Sequence, residues 1–311
     1  MSTGVIFPGQ GSQFVGMGKD FYINYKSAKD VFEKADSALG FSLTDIIFTG
    51  PEETLTLTYN AQPALLTTSL AIFEIIKEQI HDITGYAGHS LGEYTAVVAA
   101  GGMTFEDVVK AVHNRGKFMQ EAVPVGAGGM LAVMGAKRED ILRMCGDISK
   151  ETQSVLEPAN FNSPAQTVLA GNIQAVEKAL ERYREYGIKR AVKLPVSAPF
   201  HCSLMKPAAE NMQNYLKDVT INDLNIPVYS NVDAKKEKKA ETVRENFVKQ
   251  IASPVLWEDL VLNMVADGTE NFIEVGAGSV LTGLMKKIDR KINCVNISGI
   301  EDLGKLEDLN V

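Results

Sequence analysis

Cysteine, histidine and long apolar runs are all scarce in these 311 residues, and each scarcity removes a class of protein. The three cysteines, Cys145, Cys202 and Cys294, are odd in number and far apart, so neither a disulfide framework nor a C-x-x-C metal site is indicated, and a reducing compartment fits. No run approaches the roughly 20 apolar residues of a membrane span. Ahead of Lys19, the first charged residue, only Val5-Ile6-Phe7 is apolar, far short of the hydrophobic segment of a secretory signal. Basic residues are the minority charge: 31 Lys and Arg stand against 39 Asp and Glu, for a net charge of -8. A general nucleic-acid binder needs the opposite balance, because its affinity comes from releasing counterions. The chain is therefore expected to be soluble and cytoplasmic, without nucleic-acid or membrane partners and without a bound metal or cofactor.

What is present is a hydrophobic fraction of 45%, enough to bury a large core in one enlarged α/β domain or a large domain carrying a smaller one. Val5 to Phe7 reads as a short buried strand that runs into Pro8-Gly9-Gln10-Gly11-Ser12-Gln13. Two phosphate motifs nearly fit this loop and fail: Met17 stands where the Walker A lysine must be, and Phe14 breaks G-x-G-x-x-G. Its remaining use is a tight path that offers backbone N–H groups or the Gln10 side chain to a cleft.

Helical patterns follow at Ser27 to Leu39 and at Ala64 to Gln79, the latter opened by Gln62-Pro63 as a proline in a first turn. Ile83 to Ala87 can then serve as a strand, and Leu91 to Ala100 as a helix stopped by Gly101-Gly102. Between them Gly88-His89-Ser90-Leu91-Gly92 has the G-x-S-x-G form of a nucleophile elbow, whose sharp turn exposes a serine hydroxyl and faces helix N-terminal N–H groups toward a developing oxyanion. The plainer reading is a serine capping an ordinary helix.

A serine nucleophile needs a base, and four histidines are available. His89, adjacent to the serine, is expected to leave the elbow in another direction, His81 lies in a polar loop, and His113 is expected to face away from its helix's apolar stripe. His201 comes just after a strand expected over Ala191 to Val196, and strand ends are where an α/β fold gathers its chemistry. It is the candidate base, and no single acid can be chosen as its orienting partner.

From Thr104, a good N-cap, to Ala122, the residues Val108, Val112, Arg115, Met119 and Ala122 recur at helical spacing. Arg115 interrupts an apolar stripe, where a guanidinium needs an anion to meet its planar fork. That anion is either an internal Asp or Glu or the carboxylate of a substrate. Met130 to Val196 then reads strand, helix, strand, strand, helix, strand, the βαββαβ order of a ferredoxin-like unit, entered through glycines and left through Pro195. A further helix around Met205 to Leu216 and strands at Val228 to Asn231 and Phe272 to Val275 resume the α/β pattern, and Lys235 to Lys239 reads as a solvated loop.

With these residues assembled, the chain resembles bacterial malonyl-CoA:acyl carrier protein transacylases nearly end to end. The matching segments are Phe7 to Gln13, Gln62-Pro63-Ala64-Leu65-Leu66, Gly88 to Tyr94, Arg115-Gly116-Lys117, Asn160 to Pro164, Pro199-Phe200-His201 and Asn231-Val232-Asp233. The resemblance implies a hydrolase-like parallel-sheet large subdomain over 1–125 and 197–311, with an inserted ferredoxin-like small subdomain over 126–196. It further implies a malonyl-serine at Ser90 with His201 as base, an oxyanion hole from the N–H groups of Gln10 and Leu91, and a backbone carbonyl at Gln250 orienting the histidine. Arg115 would hold the free malonyl carboxylate, with Gln62, Asn160 and Phe200 lining the pocket and Phe200 narrowing it toward malonyl. Malonyl-CoA and a phosphopantetheinylated acyl carrier protein would be the substrates, the carrier docking transiently, with Lys189, Arg190, Lys286 and Lys287 as candidate basic contacts. The usual family pattern has glycine where Ala165 stands and proline where Ala277 stands. Rival readings are a serine thioesterase or esterase, a trans-acting acyltransferase of polyketide synthesis, and a carrier-binding module without catalysis.

Overall fold

The computed structural model of the chain describes residues 2–196 and 198–309. Ser197, the first residue of the returning large subdomain as expected from sequence, lies outside them. In chain order the strands are β1 (Thr3–Phe7), β2 (Ile83–Gly88), β3 (Gly128–Met134), β4 (Leu156–Ser163), β5 (Gln166–Asn172), β6 (Arg190–Lys193), β7 (Val228–Tyr229), β8 (Lys236–Glu237), β9 (Asn271–Val275) and β10 (Asn293–Ile297).

Six of them form one sheet in the order β10-β9-β1-β2-β7-β8, parallel throughout except for the β7–β8 pair. Parallel strands are covered on both faces, so the alternating side chains of β1 must all be apolar or small. Val5 and Phe7 point into one buried cluster with the helices Lys26–Leu39, Thr58–Ile76 and Phe105–Glu121, while Ile6 points into a second with Trp257–Ala266 and Val280–Ile288. The remaining strands form an antiparallel sheet in the order β4-β5-β3-β6. Leu131, Val133 and Leu169 on its outer face pack under the helices Arg138–Thr152 and Ile173–Arg182, and Met130, Ala132, Val168 and Ala170 on its inner face join the main core. The fold is the expected hydrolase-like α/β sheet with a ferredoxin-like βαββαβ unit.

The helix of Arg115 starts where its cap predicts, with Thr104 Oγ1 accepting the Asp107 N–H at 3.2 Å. Pro63 is a correction. It sits inside the helix Thr58–Ile76, because the carbonyl that its missing N–H leaves free, that of Tyr59, accepts Nδ1–H of His113 at 2.7 Å. The same bond turns His113 inward, against the sequence expectation. Lys236 and Glu237 form the edge strand β8 within the expected loop, where exposed charge discourages further pairing. The helices Ala240–Ile251 and Trp257–Ala266 carry no sequence expectation; in the first, polar residues such as Asn246 and Gln250, which the structure buries, interrupt the apolar face. Ala165 is tolerated in the β4–β5 turn, where it needs no left-handed φ, and Ala277 lies buried between Gly276 and Gly278, which carry the positive φ angles of that turn.

Candidate active site

The carboxyl ends of three neighbouring parallel strands deliver the site: β1 leads to Gln10, β2 to Ser90 and β7 to Asn231. Ser90 takes φ 51°, a left-handed conformation unusual for a side-chain-bearing residue, and so marks a strained elbow. A Cβ at Gly88 would lie 1.9 Å from the carbonyl carbon of Gly92, and one at Gly92 would lie 2.2 Å from the Phe7 carbonyl oxygen, which is why the pentapeptide begins and ends with glycine. Asn231 holds the strain in place, accepting the Ser90 N–H through Oδ1 at 2.7 Å and donating Nδ2–H to the Gly88 carbonyl at 2.8 Å.

The loop after β1 lies against this turn. The His89 N–H donates to the Phe7 carbonyl at 3.0 Å, and Gly9 approaches so closely that a Cβ there would be 2.4 Å from the His89 carbonyl oxygen. Among the described residues the backbone N–H groups of Gln10 and Leu91 take part in no hydrogen bond, and both residues line the cleft beside Ser90. Two free N–H groups at the foot of the helix Gly92–Ala99 make an anion-binding corner.

His201, whose φ is also positive at 60°, accepts the Ser90 hydroxyl at Nε2 across 2.7 Å. Its Nδ1 lies 2.8 Å from the Gln250 carbonyl, an acceptor only, so that nitrogen carries the proton and Nε2 the free lone pair. Gln250 lies in the last turn of the helix Ala240–Ile251, and the negative pole of a helix C-terminus suits an imidazole that gains a proton. Burial, reinforced by the charge of Arg115, lowers the His201 pKa to about 3, so the ring is neutral and ready to accept. From the small sheet, Glu157 accepts both the Ser203 N–H at 2.7 Å and its hydroxyl at 2.8 Å, clamping the turn that carries His201.

Arg115 is 0% exposed. Its Nη1–H donates to Gln62 Oε1 at 2.8 Å, its Nη2–H to Gln250 Oε1 at 2.8 Å and to Ser90 Oγ at 3.1 Å, and its guanidinium lies 5.4 Å from the Tyr94 ring centre. No described Asp or Glu comes within ion-pair distance of Arg115, although the buried Glu93 attracts it electrostatically from farther off. Burial pushes the carboxyl of Glu93 up to about 7. It is engaged instead by the Asn231 N–H and by Gln250.

These groups share one cleft of about 620 Å³, lined by Gln10, Gln62, Ser90, Leu91, Arg115, Asn160, Phe200 and His201 among others. Gln250 meets it from behind, through Arg115 and His201. His89 turns away, its Nε2 2.9 Å from Asn162 Oδ1. The four candidate docking cations are exposed but lie on two separate elements, Lys189 and Arg190 at the start of β6 and Lys286 and Lys287 on the helix Val280–Ile288.

Residues 5–306 match the acyl transferase domain family. The chain belongs to that family. A malonyl CoA-acyl carrier protein transacylase of Bacillus subtilis is 45% identical over 298 residues, 96% of this chain and 94% of that one. An acyl carrier protein S-malonyltransferase of Vibrio cholerae superposes with a TM-score of 0.95 at 41% identity, covering 98% of this chain and 100% of the other. A malonyl-transacylase solved in complex with a type II PKS acyl-carrier protein gives 0.96 at 39% identity over 99% and 100%.

For an acyltransferase the missed residues are as telling as the expected ones. Glu93, Asn231 and the Gln250 side chain make the polar floor beneath Ser90, yet each is joined to its partner across more than a hundred residues of chain. The one available signal was a buried-looking acid in the first turn after the elbow. Among the described residues no helix is long and apolar enough to cross a membrane, and no group of three or more His, Cys, Asp or Glu side chains could hold a metal.

Proposed function

We propose that this acyltransferase moves a malonyl group from malonyl-CoA to the phosphopantetheine thiol of an acyl carrier protein through a malonyl-serine at Ser90, supplying fatty-acid synthesis. Ser90 Oγ attacks the thioester carbonyl and passes its proton to His201 Nε2, and the Gln250 carbonyl steadies the imidazolium. The tetrahedral oxyanion sits between the N–H groups of Gln10 and Leu91, each contributing about 3 kcal/mol by analogy with single oxyanion donors elsewhere. Collapse breaks the C–S bond, and the departing thiolate of coenzyme A takes the proton back from His201. The carrier thiol then repeats the steps in reverse. In this reading both thioesters are substrates, the carrier is a transient partner, and residues 126–196 form a small subdomain that roofs the cleft.

The observation that carries the reading is the buried Arg115, close to Ser90 and in direct contact with glutamine and serine oxygens but with no carboxylate among the described residues. A guanidinium buried without an anion is costly, and a malonyl carboxylate reaching the cleft alongside Ser90 would supply it. Gln62, Asn160 and Phe200 then shape the pocket around the acyl chain. A polyketide carrier as acceptor is a second reading with the same chemistry, favoured by the solved relative bound to a type II PKS carrier.

The test is partition of the acyl-enzyme. Enzyme charged with malonyl-CoA and freed of excess is mixed with holo carrier protein or with buffer, and loss of the adduct is followed by intact mass. Discharge at least about 100-fold faster with carrier is expected of a transferase. Equal discharge by water makes the chain a thioesterase.

A further inference from the structure

The proposed chemistry leaves unused one fully engulfed acid at the centre of the site. Glu93 lies in the first turn of the helix Gly92–Ala99, where an acidic side chain commonly stays in solvent and complements the helix dipole. Here it turns inward and is only 3% exposed. Its Oε2 accepts the Asn231 backbone N–H at 3.0 Å and the Gln250 Nε2–H at 2.7 Å.

That oxygen acts as an acceptor, and the Ser90 carbonyl at 3.0 Å and Asn231 Oδ1 at 3.3 Å accept from the same Nε2 at longer range, so Gln250 must offer its NH2 end on that side. The planar amide then has its Oε1 on the other side, where it accepts from Arg115 at 2.8 Å. The two ends of an amide have nearly the same shape, so only their partners choose between them. Turned over, Gln250 would set its NH2 against a guanidinium that can only donate and its carbonyl against these acceptor oxygens. Gln62, the other amide on Arg115, has no such restraint, since its Nε2 meets only the Met119 thioether at 3.7 Å. Another buried acid, Glu274, explains itself by capping the helix Val280–Ile288 through the N–H groups of Leu281 and Thr282. Glu93 caps nothing.

We infer that Glu93 is a positioning residue for acyl selectivity: through the Gln250 amide it fixes the direction in which Arg115 presents its guanidinium to an incoming carboxylate. This rests on the transacylase reading above. The Gln250 carbonyl that holds His201 belongs to the helix backbone, so loosening its side chain leaves the base in place. Glu93 also receives the Asn231 N–H beneath the Ser90 elbow, so any loss at the serine is shared by all acyl donors, and its role toward the malonyl carboxylate is read in the malonyl-to-acetyl ratio.

The test compares acylation of Ser90 by malonyl-CoA and by acetyl-CoA, read by time-resolved intact mass, in wild type, Glu93→Ala and Glu93→Gln. Glu93→Ala is expected to shrink the malonyl-to-acetyl ratio of kcat/KM by about tenfold or more, the size of one lost hydrogen bond to a charged group, beyond any loss at Ser90 that the two substrates share. Glu93→Gln keeps an oxygen for the same two donors and should hold the malonyl-to-acetyl ratio within about threefold of wild type. Should Glu93→Ala fail to fold, Glu93→Asp withdraws the carboxylate by one methylene and is held to the same criterion. A ratio unchanged in Glu93→Ala, or lost equally in Glu93→Gln, overturns the inference. Failure of wild type to take malonyl at all overturns the underlying reading instead.

Discussion

Arg115→Ala separates binding of the acyl tail from the chemistry at its head. In the native site the guanidinium is wholly buried and aimed by two glutamine oxygens, with Nη2 3.1 Å from Ser90 Oγ. Truncating one partner of a buried charge pair costs about 2–5 kcal/mol. The cleft is open to solvent and the vacated space can admit water, which favours the lower part of that range, about 2–3 kcal/mol. Malonyl acylation should therefore fall about 30- to 150-fold in kcat/KM. Losing the hydrogen bond to Ser90 Oγ adds a penalty of about 0.5–1.5 kcal/mol that both substrates share, so the clean quantity is their ratio. The acetyl methyl gains from removal of a desolvated cation, which offsets that shared penalty. Measured side by side with malonyl-CoA and acetyl-CoA, the malonyl preference should shrink about 100-fold. Parallel losses on the two substrates would refute the assignment of Arg115 to the carboxylate.

His201 holds its pKa near 3 through burial and the charge of Arg115, so malonyl acylation should stay level from pH 8 down to about pH 5, where an ordinary imidazole would be protonated and inert as a base. In Arg115→Ala the acid limb of acetyl acylation should move to higher pH, because one of the two causes is gone; a limb already near pH 6.5 in wild type would contradict this. Asn231→Ala leaves the Ser90 N–H and the Gly88 carbonyl unpaired in the interior, a loss of about 1–3 kcal/mol for each. Thermal unfolding should come down by several degrees at about 2–4 °C per kcal/mol, together with slower acylation of Ser90. A melting curve within about 1 °C of wild type would show that Asn231 does not hold the elbow.

Much of this site was legible because its signals are local. The Gly88–Gly92 pentapeptide announces a tight turn through glycines that close backbone approaches demand at both ends, and Arg115 stands out because it breaks an apolar helical stripe. The βαββαβ order was readable because each element is amphipathic over its own length, as when Leu131 and Val133 alternate with Met130 and Ala132. What periodicity cannot record is the partner across the fold. Asn231 reads only as the end of a strand until its side chain is seen under Ser90, and the side chain of Gln250 carries no local signal until its amide bridges Glu93 and Arg115. Pro63 misled for the same reason, since a histidine 50 residues away satisfies the carbonyl that its ring leaves free.

The central claim is that the Ser90 hydroxyl, primed by His201, carries the malonyl group between two thiols. Intact-mass spectrometry of wild type and Ser90→Ala after brief exposure to malonyl-CoA, with peptide mapping of the product, tests it most directly. A single malonyl adduct on the peptide containing Ser90, absent from Ser90→Ala, is the predicted result. An adduct that persists in Ser90→Ala, or none in wild type while transfer to carrier proceeds, would contradict it.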